Sequence, residues 1–373
     1  MKRGPRFGIE EEYFLTDLTT RQMLAEPAHP LLVECREAVG KGFAYEMFQG
    51  QIEVASPIFT STAEAADYLH GVRTRLNRAL SGHGLGLLCA GSHPLAFWRD
   101  QRATPLPHFA QLFAEYQTVA QRSVLCGLHV HVEIPEGIDR IAVMNEVSPW
   151  LPLLLMLSCS SPFWQGAASG FMSYRQVVCD GWPRMGIPEH FENEREYQRY
   201  LALMQRIGAI EQGGNGWWGL RPASRYPTLE LRMTDACSRL ADALLLANLF
   251  RVMVAFAITC ANPGAGHDAI SRWLLEENRW QAKRHGSQGR FAVDAGGTVL
   301  SAGQWLHRAQ LLFVETAEQV GEPQIFEQAK ALLLHGNSAT RQLACHAKAS
   351  AQEPDPQRSL QAVVDHLLEE TAG

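Results

Sequence analysis

Residues Phe7–Leu15 read FGIEEEYFL, three consecutive carboxylates inside an apolar strand pattern. Side chains alternate faces along an extended strand, so Glu10 and Glu12 share one face. Ile9, Tyr13 and Leu15 take the other, toward a core, and carry Glu11 with them. Two like charges side by side on a half-buried strand repel each other and lose hydration. A solvated edge strand would tolerate them; a buried one needs a cation between them. Hard divalent ions such as Mg²⁺ take carboxylate oxygens, which makes this face a candidate metal site.

Three further stretches extend the pattern. Tyr45–Val54 (YEMFQGQIEV) has strand character and carries Glu46 and Glu53, seven apart and so of opposite parity. They share a face only if the strand is interrupted, and Gly50 is the natural place. Cys126–Ile134 (CGLHVHVEI) alternates most clearly, with His129, His131 and Glu133 opposite Leu128, Val130, Val132 and Ile134. In Thr228–Asp235 (TLELRMTD), Glu230, Arg232 and Thr234 oppose Leu229, Leu231 and Met233.

Each segment alone has an ordinary explanation. A strand histidine is more often a satisfied polar group than a ligand, and a Glu-x-Arg strand is usually a salt-bridged face. Four coinciding segments read instead as one sheet whose concave face holds several oxygen ligands and an imidazole. That chemistry suits two or three Mg²⁺ or Mn²⁺ ions bound between carboxylates and the phosphates of ATP. An arginine beside the last carboxylate would neutralise a transferring phosphoryl group. No GxxxxGK[ST] loop occurs, and Gly82-x-Gly84-x-Gly86 precedes a strand, so metals and arginines would hold the nucleotide.

Around these stretches the 373-residue chain is 46% hydrophobic and 19% charged, a globular composition able to bury a sizeable core. A net charge of −6 argues against nucleic-acid and anionic-membrane partners. Acidic residues precede any apolar run at the N-terminus, so a cytoplasmic location is expected. The most hydrophobic segment, Ala243–Ala261, is interrupted by Asn248 and Arg251 and reads as a buried helix rather than a membrane span. The eight cysteines are scattered without a CxxC pair and read as reduced, mostly buried residues.

Thr60 or Ser61 is positioned to cap a helix running to about Leu80, followed by a strand within Gly82–Ala90. His108–Arg122 and Glu194–Glu211 read as helices, and 162–192 as a long loop region. The apolar helix between them reaches about Ser160 and should kink or split at Pro149 and Pro152. From Leu240 the pattern is helical apart from breaks at 262–266 and 286–300. The prediction is α+β, with a largely antiparallel sheet and a helical C-terminal third. No composition shift divides the chain, so one domain is expected over 1–373, strand-rich from about 5 to 235 and helical from about 240.

The motifs FGIEEEYFL, QIEVASP, CGLHVHVEI, LPLLLMLSCSSPFWQG, SYR, WWGLRPASRYPTLELR and ENRWQAKRHG occur in order from residue 7 to 286. Jointly they resemble the carboxylate–amine ligase family known as glutamate–cysteine ligase type 2. The resemblance implies the glutamine synthetase and γ-glutamylcysteine synthetase catalytic fold, a curved antiparallel sheet forming a funnel for ATP, metals and glutamate. It implies metal roles for Glu10, Glu12, Glu46, Glu53, His129 and Glu230, with Glu53 also taking part in catalysis. It places His131 nearer the nucleotide and Arg232 on the transferring phosphate. Arg175 and Arg221 become candidate contacts for phosphate or substrate carboxylate. Gly219 departs from the pattern, standing where the family usually has Asp, which points to a different second substrate or a weaker activity.

The implied function is an ATP-dependent ligase that joins glutamate to an amine such as cysteine. Its partners would be small molecules, and a homodimer is one admissible assembly. Two other readings use the same scaffold: a metal-dependent hydrolase of γ-glutamyl amides, and a binding protein that has lost catalysis.

Overall fold

The computed structural model describes residues 4–210, 216–260 and 269–373, with side chains left out of account over 260–270. Its centre is a seven-stranded antiparallel sheet. The strands are β1 (Phe7–Asp17), β2 (Phe43–Tyr45), β3 (Gln51–Ala55), β4 (Leu85–Leu88), β5 (Leu128–Glu133), β6 (Leu220–Pro222) and β7 (Thr228–Leu231). Their order is β6-β7-β5-β1-β3-β2, and β4 pairs with the far end of β1. The FGIEEEYFL strand is the hub, since β3, β4 and β5 all bond to it.

The register brings the polar positions together. Glu12 lies opposite Glu53, Glu10 opposite His129, and His131 opposite both Gly8 and Glu230. Arg221 faces Glu230 from the edge strand. A one-residue slip in any pairing would send these groups into the core, so the apolar alternation fixes the site.

The opposite face of the sheet is buried. Near β5 and β7, Leu128, Val130, Val132, Leu229 and Leu231 pack against helices Arg140–Val147, Leu151–Ser158 and Leu240–Cys260. Around the far end of β1, Tyr13, Leu15, Ile52 and Val54 pack with Val72, Leu76 and Leu80 on helix Thr62–Ser81 and with Val363 and Leu367 of helix Pro356–Ala372. Each such large apolar side chain contributes about 1.5–3 kcal/mol on burial. Ser61 caps helix Thr62–Ser81 by accepting from the Glu64 amide. Two stretches, Arg140–Ser158 and Leu240–Thr259, have the length and apolarity to cross a membrane, and both are mostly buried inside the protein.

Several expectations change in detail. Tyr45–Val54 is not one strand: β2 and β3 form a hairpin interrupted over residues 46–50, which resolves the parity conflict between Glu46 and Glu53. The helix expected over His108–Arg122 breaks at Gln117, whose φ is 47°. The prolines split the apolar helix at a 3₁₀ turn, Ser148–Trp150. The region 162–192 is more ordered than a loop, containing helix Tyr174–Cys179 and short strands Phe163–Trp164, Ala167–Ala168 and Met185–Gly186. Helix Glu194–Arg206 ends before Glu211, which lies outside the described residues, as does the break at 262–266.

Candidate functional site

Two ligand groups lie side by side on the open face of the sheet. In the first, Glu12, Glu46 and Glu53 bring carboxylate oxygens within 4.8 Å of one another; in the second, Glu10, His131 and Glu230 do the same with one imidazole nitrogen. His129 links them, its Nδ1 3.3 Å from Glu10 Oε2 and its Nε2 3.6 Å from Glu12 Oε1. Both histidines therefore reach the site. The compact trio forms with His131, where the resemblance implied His129.

The three carboxylates of FGIEEEYFL meet different fates. Glu11 turns inward, 1% exposed, and its Oε1 pairs with Arg73 Nη2 at 2.5 Å. Tyr13 donates to the other Glu11 oxygen. A buried carboxylate is tolerable when a cation and hydrogen bonds answer it, and Glu11 has both. Glu12, Glu46 and Glu53 have no lysine or arginine within ion-pair distance among the described residues. Glu12 accepts from the Gly127 amide at 2.6 Å and Glu46 from the Met47 amide at 2.9 Å.

The electrostatics follow. Burial, then the charge of Glu12, pushes Glu46 up to about 7. Burial and the neighbouring Glu46, Glu10 and Glu12 push Glu53 well above the carboxylate range. In the second group burial works against ionisation, but hydrogen bonds from His129 and His131 hold Glu10 well below its usual range. Glu230 stays at about 2 despite its burial, because Arg232 and Arg221 flank it. Burial, with Arg232 nearby, keeps His129 below the ordinary histidine value and so favours the neutral ring that a metal requires. The donor set is oxygen-rich with one or two imidazoles, and its first half lacks a protein cation. It fits hard divalent ions.

Arg232 Nη1 donates to Glu230 Oε1 at 2.6 Å, and Arg221 forks onto the same carboxylate through Nε at 2.8 Å and Nη2 at 3.1 Å. Arg221 also donates to the Gly216 carbonyl. Arg175 differs from expectation. It is 7% exposed, and its terminal nitrogens donate to the carbonyls of Arg232, Met233 and Thr234. Those bonds make it a clamp on the backbone that carries Arg232, in place of the expected contact with phosphate or substrate.

The same clamp contains residues that pattern reading missed. Asp235 is fully buried and accepts from Ser161 Oγ at 2.7 Å, Ser173 Oγ at 2.8 Å and the Ser160 amide at 3.0 Å. Gln176 donates to the Met233 carbonyl at 2.8 Å. Asp235 and its serine partners come from SCSSPFWQG, SYR and LRMTD, three motifs that meet only in the folded chain, and Gln176 directly follows SYR. Gly127 completes the floor: a Cβ there would stand 2.4 Å from Arg175 Nη2 and 2.9 Å from His129 Nε2.

Comparison with known proteins places this arrangement. The family model described as glutamate-cysteine ligase family 2 matches residues 6–362. A Pseudomonas fluorescens protein named "Putative glutamate--cysteine ligase 2" is 57% identical over 98% of this chain and 94% of its own length. A protein of the same name from Ectopseudomonas mendocina is 48% identical over 98% of this chain and 96% of its own. Among solved structures, the glutamate–cysteine ligase of Francisella tularensis, crystallised with AMP, superposes with a TM-score of 0.72 at 12% identity. That match covers all of this chain and 90% of the other. A bifunctional glutathione synthetase from Pasteurella multocida gives 0.73 at 15% identity, covering 99% of this chain and 53% of its own. The structural matches establish that the chain has the fold of these two proteins. With the ligand sheet, its arginines and these sequence matches, the chain belongs to glutamate–cysteine ligase family 2 and is an enzyme of the C–N bond-forming ligase class.

Proposed function

We propose that this protein is an ATP-dependent carboxylate–amine ligase that makes a γ-glutamyl amide through a γ-glutamyl phosphate. The observation that carries the reading is the pair of ligand groups, one with no lysine or arginine within ion-pair distance among the described residues and the other braced by two arginines. A carboxylate and an ammonium do not condense at neutral pH, so the carboxylate has to be activated first. Glu10, Glu12, Glu46, Glu53, Glu230 and His131 or His129 would hold Mg²⁺ or Mn²⁺. Bound there, such ions would supply charge shielding between ATP and the incoming glutamate carboxylate.

The chain's own part is positioning and electrostatics. Burial works against the charge of Arg232, but Glu230, and then Glu10 and Glu12, outweigh it, raise its affinity for its proton and keep it cationic. That charge would stabilise the phosphoryl group in transit, and Arg221 fixes the carboxylate that Arg232 leans on. Arg175 holds the main chain on which Arg232 stands. No covalent protein intermediate is needed. The test is ADP release with Mg²⁺ and L-glutamate across a panel of amines that includes L-cysteine. Amine-dependent ADP release is the expected result. Cleavage of γ-glutamyl amides without ATP, and no ADP with any amine, would replace the ligase with a hydrolase.

A further inference from the structure

The strand end beside Arg221 carries a feature the reaction has not used. Along WWGLR, Trp218 and Leu220 are buried in the core, while Trp217 and Arg221 are half-buried on either side of a bend at Gly219. The neighbouring backbone ties this segment to the ligand groups. The Gly216 carbonyl accepts from Arg221, and the Gly219 carbonyl accepts from the Arg232 amide at 2.8 Å. Trp217 sits between these two attachments. Its ring meets Trp182 at 5.3 Å and Tyr116 at 5.5 Å, and Tyr116 and Trp182 are 4.8 Å apart. All three rings remain partly exposed. Trp182 is locked by donating to Ser123 Oγ at 2.7 Å.

Arg184 stands over this cluster, its guanidinium carbon 5.8 Å from the Trp217 ring centre. Its Nε is buried with no hydrogen-bond acceptor, and no carboxylate pairs with it among the described residues. Its backbone has φ of 57°, a left-handed conformation costly for any residue with a side chain. Met185–Gly186 then pairs with Trp217–Trp218, and the Gly219 amide donates to the Gly186 carbonyl at 2.7 Å, which fixes Arg184 against the cluster. A guanidinium with no carboxylate partner among the described residues, held over partly exposed aromatic rings, is complementary to a carboxylate attached to a ring.

We propose that Arg184, Trp217, Trp182 and Tyr116 form the acceptor subsite, and that the amine substrate is an aromatic α-amino acid. Arg184 takes its α-carboxylate and the three rings take its side chain. This rests on the ligase reading for its place in the reaction. There the acceptor nitrogen forms the C–N bond to the γ-carbonyl, and the C–O bond to phosphate breaks with its electron pair leaving on phosphate. Of the two protons lost by the ammonium, one goes to the phosphate and one to water.

The test separates binding from turnover. Calorimetric titration of the full chain uses L-phenylalanine, L-alanine, L-cysteine and phenethylamine, each with and without Mg²⁺, L-glutamate and a non-hydrolysable ATP analogue. L-Phenylalanine should bind at least tenfold more tightly than L-alanine, which lacks the ring, and phenethylamine, which lacks the carboxylate. Arg184→Met should abolish the preference over phenethylamine, Arg184→Lys should restore part of it, and Trp217→Ala should abolish the preference over L-alanine. L-Alanine or L-cysteine binding as tightly as L-phenylalanine, or no L-phenylalanine binding under either condition, overturns the proposal in the wild-type protein alone. ADP release with L-cysteine but not with aromatic amino acids keeps the ligase and removes the subsite. Selective L-phenylalanine binding without ADP release keeps the subsite and removes the ligase.

Discussion

At the scale of single residues, the contrast between Glu11 and Glu53 separates structure from function. Glu11 is neutralised by Arg73, and removing either partner would strand a buried charge, at a cost of about 3–5 kcal/mol. Glu53 sits among like charges. Glu53→Gln keeps the volume and relieves repulsion, so urea unfolding should show unchanged or higher stability without metal. Mg²⁺ affinity by calorimetry should fall on the order of tenfold or more. Undiminished Mg²⁺ binding would remove Glu53 from the ligand set. Arg232→Lys keeps the charge but loses the planar guanidinium that donates to Glu230 Oε1, and should lower kcat by roughly tenfold or more with a smaller change in KM. Equal turnover would take Arg232 out of the mechanism. Gly219 also has a local explanation: a Cβ there would lie 2.9 Å from Met233 Cβ and 3.1 Å from the Gly186 carbonyl. Gly219→Asp should therefore destabilise the protein by about 1–3 kcal/mol through overpacking, and thermal unfolding would register it.

At the scale of elements, β1 and β4 enclose a titratable group unrelated to catalysis. His93 is 1% exposed, its Nε2 3.2 Å from Thr16 Oγ1, and its Nδ1 accepts from the Leu95 amide at 3.1 Å. Burial lowers it to about 3. Below pH 6.5 the unfolded chain takes up a proton that folded His93 refuses, so stability is retained above 6.5 and lost as pH falls toward 3. The slope is about 1.4 kcal/mol per pH unit. Urea midpoints between pH 7 and 4 should fall more steeply in the wild type than in His93→Asn, and parallel curves would refute the assignment. The elements also show what the sequence could tell. Strands with strict alternation, such as CGLHVHVEI, revealed both their faces because one face is buried. Glu46 and Glu53 required a hairpin, which parity demanded but could not distinguish from a bulge. The part played by Arg175 was hidden because its partners are main-chain carbonyls 57 to 59 residues away, and carbonyls leave no trace in residue type. Asp235 was hidden likewise, since serines from separate motifs satisfy it only after folding.

At the scale of the whole molecule, one face of the sheet collects ligands from residues 10 to 232, and the other binds helices from nearly every part of the chain. The C-terminal helix closes this arrangement: Thr371 accepts from the Cys89 amide, and Glu370 accepts from Ser238 and pairs with Arg341. Metal binding on this face would therefore be coupled to global stability, because the carboxylates and imidazoles converge only when the sheet is complete. Without metal, Glu46 and Glu53 are raised above the ordinary carboxylate range, Glu46 to about 7. Between about pH 4.5 and 7 the folded protein keeps protons that the unfolded chain has already released. Metal-free stability should consequently fall as pH rises through that window, the reverse of the His93 effect. A divalent cation must displace the same protons, so it binds weakly at pH 5 and strongly at pH 8. Saturating Mg²⁺ at about 100 times its dissociation constant adds about 2.7 kcal/mol. Thermal unfolding with Mg²⁺ and with EDTA should show a larger gain at pH 8 than at pH 5, and Glu53→Gln should flatten the difference. A gain independent of pH would mean that Mg²⁺ binds away from the Glu12, Glu46 and Glu53 group, and the metal reading of this sheet would fail.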